Sequence, residues 1–249
     1  MKILITGASS GLGAELARQY AKGDNELILL ARRGERLLAL KKELISKVKD
    51  IRVVIVDVTK FELLQEEIKK IGVVDMVILN AGVSLGHSNK IPTVAEFQNL
   101  YSVNIISIHA ILEILLPLFQ KQQYGKIVFI SSLASLFTMP SSKVYSSSKR
   151  ALNAYAQGIR YKYKKDNIKV INILPGFIKS ELTDKNRFSM PFILTTQEGV
   201  EKIVDAIEKE KRLYAFPLRA FFIISLVNLL PQRVVETFMD KLSLKNDTI

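Results

Sequence analysis

The chain of 249 residues predicts a doubly wound α/β fold, a parallel sheet with helices on both faces, in a single domain over 1–249. Three observations predict it. Short, continuous apolar runs rich in β-branched residues alternate with longer helical patterns; polar and special residues gather where the runs end; and no Pro/Gly/Ser-rich linker or compositional break divides the chain. An apolar run without polar alternation is a strand covered on both faces, as in a parallel sheet between helix layers.

The first strand is "KILIT" at 2–6, followed by a glycine-rich turn and a helix over about 12–22. Next come "ELILLA" at 26–31 with a helix at 34–49, and "IRVVIVD" at 51–57 with a helix at 60–71. "DMVILN" at 75–80 precedes a long helix at 93–122, "GKIVFIS" at 125–131 a helix at 142–165, and "IKVINILP" at 168–175 closes the series. Ligands of such folds bind outside the carboxyl ends of the strands, where the strand order reverses. Thr6, Arg32, Asp57, Asn80, Ser132 and Pro175 all fall at or just after strand ends, so that edge reads as a site.

Composition narrows the chemistry. With 48% hydrophobic and 24% charged residues the chain reads as globular, apart from a short polar tail, "KNDTI". It has no cysteine, which removes disulfides, thiolate catalysis and Cys-ligated zinc and fits a cytoplasmic location. His87 and His109 are far apart and read as ordinary loop and helix residues, so no metal site is expected. The net charge of +12 is spread over polar helix faces such as "KKELISKVKD", without aromatic platforms, so no nucleic-acid partner is expected. The start, "MKILITGASS", meets a glycine turn instead of a secretory cleavage site.

The turn after the first strand is "TGASSGLG", Thr6 to Gly13. Glycines at 7, 11 and 13 let the backbone turn sharply and approach a ligand, and the helix start offers free N–H groups to a pyrophosphate. Between strand and helix, this is a dinucleotide loop. A second motif is "VYSSSKRAL", which puts Tyr145 and Lys149 four positions apart on one helix face, a catalytic pair or a solvated face by spacing alone.

The glycine spacing differs from the common G-x-G-x-x-G and resembles the short-chain dehydrogenase/reductase family, the branch of roughly 250 residues with a single Rossmann-fold domain. Tyr145 and Lys149 match its Y-x-x-x-K, Ser132, 13 residues before the tyrosine, its catalytic serine, and Asn80, Ala81 and Gly82 its N-A-G turn. Asn104 stands where the family carries a helix asparagine of its proton relay, and "PGFIKS" resembles the P-G motif against the nicotinamide. The resemblance therefore implies catalytic Asn104, Ser132, Tyr145 and Lys149. It also implies cofactor contacts at Gly7, Ser9, Ser10, Gly11, Leu12, Gly13, Asp57, Val58, Asn80, Ala81, Gly82, Tyr145, Lys149, Pro175, Gly176, Ile178 and Ser180, with Asp57 and Val58 toward the adenine.

The second strand ends "LLARRGERL". NAD-selective sites usually place an acid there, whereas a 2′-phosphate needs cations. No acid stands at the strand end and a guanidinium binds phosphate through two hydrogens, so NADP(H) is expected over NAD(H), held by Arg32 or Arg33 with help from Ser9. For carbonyl reduction Tyr145 would be the general acid, or the base in alcohol oxidation, its pKa lowered by the Lys149 ammonium and the oxidised nicotinamide. Lys149 would hold the nicotinamide ribose, Ser132 would donate to the substrate oxygen, and Asn104 would hold a water linking Lys149 to solvent. The serines at 146, 147 and 148 read as helix filler and backbone contacts.

Substrate specificity falls to 83–95, 133–143 and 177–230. The loop at about 177–195 has the length of a flexible lid, and Phe177, Met190, Phe192 and Ile193 are open to two readings, an apolar pocket or the core. A pocket favours a lipophilic aldehyde or ketone. The apolar C-terminal segment, about 217–240, contains "LRAFFIISLVNLL" between Pro217 and Pro231, too short to span a bilayer. Three uses of 217–231 compete: a buried core or interface helix, which is favoured, a wall of the substrate site, or peripheral membrane contact, which is not. The resemblance implies a homodimer or homotetramer through the helices after the fourth and fifth strands. The alternative to an NADP(H)-dependent oxidoreductase on a carbonyl or alcohol is an NADP(H)-sensing regulatory protein without turnover; a sugar-nucleotide epimerase is disfavoured by the glycine spacing.

Overall fold

The computed structural model describes residues 1–86, 90–184 and 190–237. His87, residues 185–189 of the expected substrate loop and the tail from 238 onward lie outside the described residues.

Seven parallel strands form one sheet in the order β3-β2-β1-β4-β5-β6-β7. They are β1 (Lys2–Thr6), β2 (Glu26–Ala31), β3 (Asp50–Ile55), β4 (Met76–Leu79), β5 (Gly125–Ile130), β6 (Ile168–Pro175) and β7 (Leu213–Phe216). Alternate residues of each strand face opposite helix layers. On one side Ile3, Ile5, Leu27 and Leu29 pack with α1 (Gly11–Tyr20), α2 (Gly34–Leu44) and α7 (Thr196–Glu208). On the other, Leu4, Ile28, Ile127 and Phe129 pack with α3 (Phe61–Ile71), α5 (Ser107–Gln122) and α6 (Lys143–Tyr163). The chain winds outward from β1 to β3, crosses to β4 and winds the other way. The order therefore reverses between β1 and β4, and a crevice opens at their carboxyl ends.

The expected helix at 93–122 is interrupted. Thr93 caps α4 (Val94–Tyr101) through a reciprocal capping box with Glu96. A π turn over Ser102–Ile106 then joins it to α5. The stretch from Val94 to Gln122 is long and apolar enough to cross a bilayer, but its apolar face belongs to the core, with Leu112, Leu115 and Phe119 fully buried.

Two elements have no counterpart in the sequence reading. Helix α7 starts at a second capping box, Thr195 with Glu198, inside a stretch taken to carry no legible motif. Strand β7 has four residues and only half of them are buried, too short a run to give a strand signal. The favoured reading of 217–231 as a buried core or interface helix is corrected in its first half, since the segment is not buried in the core. In α8 (Leu218–Val227) no residue is buried. Its inner face, Ala220, Phe221 and Ile224, packs on Leu133, Leu174 and Ala215, while Leu218, Phe222, Ile223 and Leu226 face outward.

Candidate active site

A cleft of about 440 Å³ runs along the carboxyl edge of the sheet from Arg32, Arg33 and Asp57, over the glycine loop, to Ser132, Tyr145 and Lys149. Its floor is built by short contacts that require the observed residues. Thr6, nearly fully buried, accepts from the N–H groups of Asn80 and Ala81 at 3.0 Å each and donates to the Ile78 carbonyl at 3.3 Å. The Asn80 amide donates back to the Thr6 carbonyl at 3.0 Å, so the glycine loop and the N-A-G turn are tied together across the crevice. Gly7 has φ +68°, and a Cβ there would lie 2.9 Å from the Ala81 Cα. Ser10 enters α1 in extended conformation and its hydroxyl does not cap the helix, so the first-turn N–H groups face the cleft without a side-chain partner.

Every expected cofactor residue lines this cleft except Gly13. A Cβ on Gly13 would stand 2.2 Å from the Gly7 carbonyl oxygen, so this glycine serves the packing of α1 beneath the loop. Elongated, lined by helix-start amides at its middle and cations at one end, the cleft fits a dinucleotide.

At the cationic end the two arginines separate. Arg32 is exposed and lies 3.7 Å from Asp57, whose carboxyl burial works to raise; the N–H and hydroxyl of Thr59, with Arg32, overcome this and hold it below the usual range. Arg33 is more ordered: its Nε donates to the Ser9 hydroxyl at 3.1 Å, and its two terminal nitrogens donate to Ser10 at 2.5 Å and Glu181 at 2.7 Å. Arg36, from the first turn of α2, also pairs with Glu181. Sequence reasoning named neither Arg36 nor Glu181. Arg36 could have been found from helix spacing, three positions after Arg33; Glu181 could not, being brought from 148 residues away.

At the other end Ser132 leaves β5, accepts from the Ala134 N–H at 3.1 Å and donates weakly to the Pro175 carbonyl at 3.5 Å. Tyr145 and Lys149 share one face of α6, with the Lys149 Nζ 5.7 Å from the phenol ring centroid. Lys149 is 4% exposed and donates to the Ile130 carbonyl at 2.9 Å. Burial lowers its ammonium to about 8. Tyr145 moves against expectation: desolvation raises its phenol to about 12, and hydrogen bonding with Ser132 offsets only part of this. The expected lowering by Lys149 is therefore not seen, because the cost of a charge in this wall exceeds the attraction of an ammonium that is itself desolvated and turned to a carbonyl.

Asn104 sits in the π turn and is fully buried. Its Oδ1 accepts from the Val83 N–H at 2.8 Å, while its Nδ2 donates to the Val83 carbonyl and the Ser148 hydroxyl, both at 3.1 Å. It therefore clamps the N-A-G turn to α6. A Cβ on Gly82 would lie 3.5 Å from both the Asn104 Oδ1 and the Lys149 Nζ, so the three residues meet. The serines of the motif are occupied locally: Ser146 with Ser142, Ser147 with Tyr101 and the Val144 carbonyl, Ser148 with the Tyr145 carbonyl. His109 faces away, 2.8 Å from the Tyr155 hydroxyl.

Phe177, Met190, Phe192 and Ile193 neither line the cleft nor enter the core. The core reading of this group is corrected: the described stem of the loop is closed by the bridge of Ile178 to Leu194, and Phe192 lies exposed, while the pocket reading involves residues 185–189, which lie outside the described residues. The stem turn is pinned by Thr183, whose hydroxyl donates to the Ile178 carbonyl and accepts from the Ser180 N–H, each at 2.9 Å.

Known oxidoreductases resemble this chain. An uncharacterised oxidoreductase of Mycobacterium tuberculosis is 34% identical over 245 residues, 95% of this chain and 96% of that protein. A benzil reductase ((S)-benzoin forming) of Saccharomyces cerevisiae is 34% identical over 190 residues, 72% of each chain. Among solved structures, a short-chain dehydrogenase from Sphingobium yanoikuyae in complex with NADPH superposes with TM-score 0.81 at 21% identity, covering 100% of this chain and 96% of that one. The family model for short chain dehydrogenases matches residues 1–190, and the chain belongs to that family of oxidoreductases.

Proposed function

We propose that the protein is an NADP(H)-dependent reductase of lipophilic aldehydes or ketones, running in reverse as an alcohol dehydrogenase, with Tyr145 as the proton donor. The observation that carries the reading is the meeting of Ser132, Tyr145 and Lys149 at the end of a cleft whose other end holds a cationic cradle. The bound cofactor would supply the hydride. Tyr145, whose phenol stays protonated throughout the neutral range, would give its proton to the oxygen of the reduced carbonyl. Ser132 would donate a hydrogen bond to that oxygen as its negative charge develops. Lys149, charged at neutral pH, would bind the nicotinamide ribose hydroxyls, and Asn104, buried beside it, would set the relay by which the proton is replaced.

The yeast relative's activity supports an aromatic diketone, and benzil is the first substrate to assay. The loop at 177–195 would enclose it. The resemblance further supports a homodimer or homotetramer, which the solution mass would test.

Two results are expected. NADPH should bind at least tenfold tighter than NADH in fluorescence titrations, about 1.4 kcal/mol, and Arg33→Ala should remove most of that difference while Arg32→Ala removes less, since Arg33 alone is held to the loop by Ser9 and Ser10. Equal affinities would end the NADP(H) reading. The pH profile of kcat/KM for benzil reduction should be flat near pH 7 and fall above about 8, because Lys149 loses its charge as pH rises through that value while the phenol keeps its proton to about 12. A profile level to pH 10 would remove the charged lysine from the mechanism.

A further inference from the structure

Three hydrogen-bond donors converge on one anion at the cationic end of the cleft, and in the structure that anion is a side chain of the chain itself. The Glu181 Oε2 accepts from Arg33 at 2.7 Å and from the Ser10 hydroxyl at 3.1 Å, and its Oε1 accepts from Arg36. Ser9 and Ser10 in turn accept from Arg33. Two guanidiniums with the Ser10 hydroxyl are a donor set suited to a phosphate monoester, and here they are spent on a carboxylate.

The carboxylate is delivered by a built turn. Glu181 lies between Ser180 and Thr183, and Thr183 fixes both the start of the turn and the end of the preceding strand segment. Its side chain is 50% exposed, as are those of its partners in part, at 37% for Arg33 and 51% for Arg36. Pairs this exposed to water contribute little to stability, so the contact is a poor staple for the fold and is readily exchanged. A phosphate carries more negative charge than a carboxylate and can engage both guanidiniums at once. The two anions cannot share the cradle without opposing each other.

Resting on the NADP(H) reading above, we propose that Glu181 is a specificity-determining residue: it holds the anion position of the Arg33 and Arg36 cradle and must yield it to the 2′-phosphate, so it weakens the cleft's preference for the phosphorylated cofactor.

The test uses adenosine 2′,5′-bisphosphate and 5′-AMP as probes, titrated calorimetrically into the full-length protein and Glu181→Gln at fixed ionic strength. The substitution should tighten the bisphosphate about tenfold and move 5′-AMP less than twofold. A bisphosphate affinity unchanged or weaker in Glu181→Gln overturns the proposal, as does an equal change for both probes, which would make Glu181 an acceptor of ribose hydroxyls. The NADP(H) reading fails separately. If the unaltered protein binds both probes alike while Glu181→Gln favours the bisphosphate, that reading falls and the role of Glu181 stands; if neither protein discriminates, both fall.

Discussion

Tyr145→Phe is expected to lower benzil turnover with NADPH by about a thousandfold, within the range that a positioned proton donor contributes, and to change NADPH affinity by less than about threefold. The substitution keeps the ring and removes one oxygen. The ring stays on α6 above the Lys149 ammonium at the same 5.7 Å, so the groups that hold the cofactor are untouched. Ser132 loses its hydrogen bond with the phenol but keeps those to Ala134 and Pro175, so no buried partner is stranded and stability should hardly change. What is lost is the proton at the moment the carbonyl oxygen becomes anionic. Burial holds the phenol at about 12, still well below an ordinary alcohol, so transfer to a developing alkoxide is downhill and the acid is present in full at neutral pH. Without it the oxygen keeps only the Ser132 hydrogen bond, and a thousandfold loss corresponds to about 4 kcal/mol of transition-state stabilisation. Turnover within tenfold of the unaltered protein would transfer the proton-donor role to another group, and NADPH binding lost in parallel would make Tyr145 a cofactor residue instead.

Six of the seven strands are legible as apolar runs, five of them buried on both faces and β3 half-exposed at the sheet edge, and the site is legible because its motifs are local. Thr6 to Gly13, Asn80 to Gly82 and Tyr145 to Lys149 each fall within a few residues, and strand ends bring them together automatically. What could not be read depends on distance in the chain. Glu181 reaches Arg33 only because β6 lies in the same sheet as β2, with β1, β4 and β5 between them. The pKa of Tyr145 misled for a related reason: spacing shows that an ammonium is near but says nothing of how dry the wall is or where the ammonium donates. Helix α7 carries only a local signal, the capping box of Thr195 and Glu198, of the same form as that of α4, and the strand that follows it, β7, is too short and half-exposed to mark its end.

Gly13→Ala is expected to lower Tm by about 2–12 °C, from an overpacking cost of about 1–3 kcal/mol, and to abolish measurable NADPH binding. The sequence makes all three loop glycines equivalent; the structure separates them. A Cβ on Gly13 would sit 2.2 Å from the Gly7 carbonyl oxygen, 2.7 Å from the Gly7 carbonyl carbon and 2.7 Å from the Asn80 Nδ2. The first two are main-chain atoms and cannot turn aside as a side chain could. Relief requires α1 to withdraw from the loop or the loop to lift toward the cleft. The first opens the packing of Leu16 and Ala17, both fully buried; the second moves the Gly7 main chain into the cleft and breaks the bonds of Asn80 to the Thr6 and Gly7 carbonyls. Either way the helix-start amides leave the positions they need to meet a pyrophosphate. Gly158→Ala provides the opposite case within the same fold. It lies exposed inside α6, a Cβ there meets nothing within 4 Å, and its replacement should stabilise the protein by about 0.4–1 kcal/mol with NADPH affinity unchanged. A Gly13→Ala protein that melts with the unaltered one and binds NADPH as well would show that the loop and α1 can separate freely, and the cleft would then not be the preorganised site on which the proposed function rests.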